Sequence, residues 1–240
     1  MIEYSGTDFR GWQIQKKGMT IQGLIQDKIS KLLKEKISLY GSGRTDTGVH
    51  AIEQSAHFDC KNNIKKKEKF LKSINFFLNN EDVAILDIKK KNKKFHARFL
   101  AKSRIYKYII VNRLSYPILE RNKCWHVIKK LDVDIIKKGA KKLIGTKDFS
   151  TFRSSSCHAK SPIRTLRSVT IRSIGSKIEI EFQAQSFLQQ QVRSMVGCLK
   201  YLGEKKWTLK KFEKAIRSKK RSLCAPPAPP SGLYLKKVIY

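Results

Sequence analysis

One carboxylate in this chain keeps company that invites chemistry: Asp46, inside Gly41-Ser42-Gly43-Arg44-Thr45-Asp46-Thr47-Gly48-Val49-His50-Ala51. Glycines at 41, 43 and 48 open left-handed or tightly turned backbone that a Cβ would close, so a ligand can come near the loop. Arg44, two residues before the acid, favours its ionised form. A carboxylate kept charged beside a cation is either a structural pair or a working nucleophile. The bland reading is a turn aspartate that bonds the amides following it.

Other side chains could join it. Tyr106 and Tyr108 alternate onto one face of a strand, where tyrosines usually fill a core, but next to Arg104 and Lys107 one of them could stack on a base. Arg193 stands alone in the apolar and neutral run 187–197 and needs a partner there. Arg153, Arg164, Arg167 and Arg172 form a looser basic set, suited equally to phosphate contacts and to plain surface charge. Asp46-Thr47-Gly48 also matches the aspartic-protease triplet. That chemistry needs two aspartates sharing a proton, which a neighbouring arginine opposes.

These residues have to be positioned by the elements around them. A strand at 2–4 leads through a Ser5-Gly6-Thr7 turn to a helix capped by Thr20, with Ile21, Leu24, Ile25, Ile29, Leu32 and Leu33 on one face. A strand at 37–40 delivers the Asp46 loop, and 54–58 alternates as another. A helix at 70–78, a buried strand at 83–88 and a lysine-rich loop at 89–94 complete residues 1–102, the half that carries the aspartate. The half at 103–240 opens on the strand 103–111. It continues with helices at 135–143, 187–202 and 209–216, strands at 166–171 and 177–182, and a last strand at 233–238 after the stiff Pro226–Pro230 connector. The pattern predicts an α+β protein of two halves with mostly antiparallel strands and a cleft between them.

Composition narrows the partners. The 240 residues carry 52 Lys and Arg against 19 Asp and Glu, a formal net charge of +33 that calls for a polyanion, nucleic acid first. Solvated lysine runs such as Lys65-Lys66-Lys67 and Lys89-Lys90-Lys91 temper that inference. No stretch approaches the roughly 20 apolar residues of a membrane span, which points to a cytoplasmic protein. Five scattered cysteines without a Cys-x-x-Cys pair read as reduced thiols, and the five histidines offer no metal-ligand spacing. Charge alone leaves a rival to an enzyme, a basic RNA-binding module whose loop only grips phosphate.

Five segments in order resemble the tRNA pseudouridine synthase A family. They are Tyr4-Ser5-Gly6 with Gly11-Trp12-Gln13, the loop 41–51, Phe95-His96-Ala97-Arg98-Phe99 with Tyr106, the run 187–197, and Gly232-Leu233-Tyr234-Leu235. Ser5 stands where the family often has aspartate, and Gln191 and Ser194 replace commoner methionine and asparagine. The resemblance implies two similar α/β halves around a central, mostly antiparallel sheet, commonly as a homodimer that binds tRNA. It also implies isomerisation of uridine to pseudouridine at positions 38 to 40 of the anticodon arm, without cofactor or metal. On that reading Asp46 is the nucleophile, Tyr106 stacks on the flipped uracil, Arg193 pairs with Asp46, Arg44 fills the gap the base leaves, and Arg164 contacts the substrate.

Overall fold

Residues 1–61 and 63–240 are described by a computed structural model, and they fall into two compact units, Met1–Lys102 with Tyr234–Tyr240, and Ser103–Leu233. The first unit contains β1 (Ile2–Tyr4), α1 (Ile21–Leu33), β2 (Tyr40–Gly41), β3 (His50–Gln54), β4 (Ala56–His57), α2 (Lys67–Phe77) and β5 (Val83–Ile85). The second contains β6 (Ser103–Asn112), β7 (Trp125–Val127), α3 (Val133–Leu143), β8 (Gly145–Asp148), β9 (Ile163–Ile174), β10 (Lys177–Ala184), α4 (Gln191–Gly203) and α5 (Leu209–Ser218). The closing strand β11 (Leu233–Ile239) returns to the first unit from Tyr234 onward. Helices and largely antiparallel strands in both units make the protein α+β, as the sequence pattern predicts. Among the described residues no helix is long and apolar enough to cross a membrane.

In the first unit β1 lies between β5 and β3, antiparallel to both, and β11 adds in parallel to the far side of β3, with Tyr234 opposite His50. Thr20 caps α1 by accepting from the Gly23 amide at 3.3 Å, and Ile21, Ile25 and Ile29 bury one helix face. The buried strand expected over 83–88 ends at Ile85, and Leu86, whose amide still donates to the Met1 carbonyl at 2.9 Å, is exposed. There Asn75 of α2 closes the edge, its amide bonding both the Ile85 carbonyl and the Ile85 N–H at 2.9 and 2.8 Å.

The expected strands at 37–40 and 54–58 are also redrawn. β2 is two residues long, and the chain changes partners at Ser55, leaving β1 at Gln54 and pairing β4 with β2. In the second unit the order is β6, β10, β9, β8, all antiparallel, with β7 added in parallel to β6 at residues 110–112. Ile178, Ile180, Phe182 and Ala184 alternate inward along β10. The helix expected from 187 starts at Gln191, because Gln190 takes a left-handed φ of 59° and the Gln191 side chain accepts from the Leu188 amide at 2.8 Å.

Candidate functional site

The Asp46 loop, residues 42–49, joins β2 to β3 and is fixed by its backbone. Thr45 is held on two sides: its hydroxyl meets the Tyr4 phenol at 2.8 Å in the core, and its carbonyl accepts from the Trp12 amide at 3.0 Å. Gly11 makes the second contact possible. It has φ +81°, and a Cβ there would stand 2.6 Å from the Thr45 oxygen. Asp46 itself is half-buried, and its carbonyl accepts from the Val49 amide at 3.1 Å, closing a turn whose third residue, Gly48, has φ +75°.

At the root of the loop, Gln54 is fully buried and every polar atom of its amide is used. Its Oε1 accepts from the Ser42 hydroxyl at 2.7 Å and the Ser55 amide at 3.1 Å, and its Nε2 donates to the Gly43 carbonyl at 2.9 Å. His50, also buried, stacks on Tyr234 at 4.8 Å and accepts the Gly6 N–H on Nδ1 at 3.1 Å. Of the three loop glycines, Gly48 supplies the left-handed turn, whereas Gly41 is required by the Trp12 ring, 2.5 Å from where its Cβ would be.

Arg44, two residues before the carboxylate, has a partner from outside the loop. It is exposed and turns its Nε to Gln13 Oε1 at 3.1 Å.

The other candidates sit in the second unit. Tyr106, on β6 opposite Phe182, is buried and meets the Phe187 ring edge to face at 5.2 Å. Tyr108, two residues on, is a core residue, and its phenol donates to the Pro229 carbonyl at 2.8 Å. Burial pushes that phenol well above its usual range, with Arg193 pulling the other way, so it stays a donor.

Arg193, on the first turn of α4, donates from Nε to the Ala228 carbonyl at 2.7 Å, and the Ala228 amide returns a bond to the Arg193 carbonyl at 2.9 Å. The proline-rich connector thus braces the guanidinium. Gly197 lets it run close, since a Cβ there would fall 2.0 Å from the Pro226 oxygen. Of the family departures, Ser194 accepts from Arg221 Nη1 at 2.8 Å, and Ser5 shares its hydroxyl with Thr7 at 3.3 Å.

Arg164, at the start of β9, folds back on its own chain, with Nη1 on the Ser161 and Ile163 carbonyls at 2.9 and 2.6 Å. Basic residues also gather elsewhere in this unit. A groove of about 540 Å³ along α3, β8 and α5 is lined by Lys141, Lys142, Lys147, Arg217 and Lys219, with Asp148 and Glu213 among them. Among the described residues no three His, Cys, Asp or Glu side chains converge to hold a metal.

The residues missed by sequence reasoning are the holders: Tyr4, Gly11, Gln54 and Arg104, which is buried and donates from Nη1 to the Gln185 carbonyl at 2.5 Å. A glutamine on the buried face of an alternating strand was the readable signal for Gln54.

A family profile described as tRNA pseudouridine synthase matches residues 1–100 and 140–240. A tRNA pseudouridine synthase A of Pelagibacter ubique (strain HTCC1062) is 68% identical over 240 residues, covering all of this chain and 98% of its own length. Those of Rhizobium meliloti (strain 1021) and Parvibaculum lavamentivorans are 42% and 41% identical, each over all of this chain and 97% of their own. With an aspartate loop so rigidly set, and matches of this extent across both units, the chain belongs to the tRNA pseudouridine synthase A family of isomerases.

Proposed function

We propose that this enzyme converts uridine to pseudouridine at positions 38 to 40 of the tRNA anticodon stem and loop, with Asp46 as its nucleophile. The observation that carries the reading is the Asp46 loop: a half-buried carboxylate on a turn whose neighbour Thr45 is clamped by Tyr4 and Trp12. A fixed carboxylate meets positive charge developing at sugar carbon 1 without having to reorganise. The aspartic-protease reading falls with the family.

The uridine leaves the stack first, since its reacting atoms are inaccessible within it. The bond from N1 to C1′ then breaks, its electron pair leaving with the uracil while an Asp46 oxygen bonds C1′. The uracil turns, C5 bonds C1′ and releases the carboxylate, the C5 proton departs and N1 is protonated. Atoms and oxidation state are conserved, so the reaction calls for no cofactor.

Tyr106 stacks on the flipped base and takes part in removing the C5 proton. Arg193, held by Ala228, pairs with Asp46. Arg44 occupies the gap in the stack, and Arg164 contributes a substrate contact. The enzyme acts in the cytoplasm as a homodimer, which light scattering tests directly.

Tritium release from a tRNA transcript labelled at uracil C5 tests the reaction, and site mapping of the product tests the positions. Release confined to 38–40 supports the assignment. Product elsewhere overturns the site, and tRNA binding without release overturns the reaction.

A further inference from the structure

The segment Phe95-His96-Ala97-Arg98-Phe99 has no part in the chemistry above, yet it is built with care. His96 Nδ1 accepts the Arg98 and Phe99 amides at 3.1 and 3.4 Å, and His57 Nδ1 accepts the Ala97 amide at 3.2 Å. The rings form a continuous row. Phe99 lies 4.3 Å from His96, His96 lies 4.6 Å from His57, and His57 stacks on Tyr40 at 5.2 Å.

The two ends of the row face solvent: Phe99 is 72% exposed and Tyr40 49%. An acceptor at Nδ1 puts the His96 ring proton on Nε2, which has no protein partner among the described residues. Such a surface offers π-faces and one donor.

Its surroundings select the occupant. Arg98 lies over the Phe99 ring at 5.7 Å and Lys91 over Phe95 at 5.5 Å, and Lys90, Lys93 and Lys94 are exposed in the stretch of chain just before them. Cations flanking exposed rings match an unpaired nucleotide, whose phosphate meets the charge while its base stacks. The location is also apt, since Tyr40 and His57 pair across β2 and β4, and β2 runs directly into the Asp46 loop.

We propose that Phe99, His96 and Tyr40 form a stacking platform for an unpaired base of the RNA substrate, with the His96 Nε2–H donating to that nucleotide. The proposal rests on the tRNA reading above and adds a docking contact to it.

The test compares wild type, Phe99→Ala and His96→Gln for affinity to an unmodified tRNA transcript across a salt series, with a fully paired RNA duplex as the second probe. Phe99 is exposed, so its removal leaves the fold intact, and melting curves check His96→Gln. Losing a stacked base weakens tRNA binding about fivefold to 100-fold. The slope of log affinity against log salt stays fixed, because no phosphate contact is lost. Duplex affinity stays at the wild-type value.

Phe99→Ala binding tRNA as tightly as wild type overturns the platform, as does an equal loss on the duplex. Wild type that binds tRNA without releasing tritium sinks the reaction proposed above, while the affinities still decide the platform.

Discussion

The loop at Asp46 and the strand start at Arg164 each present a charged side chain that the sequence singles out, and they are built in opposite ways. Around Asp46 the protein spends its backbone and neighbours: Tyr4, Trp12 and Gln54 hold Ser42, Gly43 and Thr45. At Arg164 the side chain turns to its own backbone instead, with Nη1 on the carbonyls of Ser161 and Ile163. A charge becomes chemically useful when the scaffold fixes its position. Arg193 is held like the loop, its Nε braced on the Ala228 carbonyl.

The largest effect should come from Asp46→Asn, which keeps the shape and removes the charge. Tritium release should fall on the order of 10³-fold or more while tRNA affinity changes little. Comparable turnover would erase the contrast with Arg164. Arg193→Lys removes the Nε bond to Ala228 and should lower the rate about 10- to 100-fold, a loss that equal folding by circular dichroism would assign to positioning.

Gly11→Ala tests the scaffold alone. Its φ of +81° and the Thr45 oxygen 2.6 Å from the new Cβ should cost about 1–3 kcal/mol in thermal unfolding. The rate should fall about tenfold as the loop shifts, and a stable, fully active variant would show that the clamp is dispensable. Arg164→Ala should be mildest, weakening tRNA binding about twofold and lowering the salt slope by at most about 1. A loss as deep as that of Asp46→Asn would place Arg164 in the chemistry.

Where the sequence read well, the information was local. Thr20 accepts from the amide of Gly23, as a cap must, and α1 and α2 follow their apolar spacing, while α3 and α5 lie close to the spans expected for them. Where it read poorly, a distant partner decided. β7 and β8 are short, with little apolar alternation, and exist through pairing with β6 and β9. The run 54–58 splits because buried Gln54 ties the chain to Ser42 and Gly43, after which it joins another sheet. That Arg44 bonds Gln13, 31 residues away in the chain, was equally beyond local reading.

By itself the sequence determined the α+β class, the presence of the helices and the start of α1, the basic character and the family, because caps, periodicity, net charge and motif strings are properties of neighbouring residues. Tertiary structure alone decided which glycines need to be glycine and why. Gly48 supplies a turn, Gly41 admits Trp12 and Gly11 admits Thr45. It also decided that Arg44 turns to Gln13 and Arg164 to its own backbone. Close approach and side-chain direction depend on atoms far apart in the chain, and only the folded chain brings those atoms together.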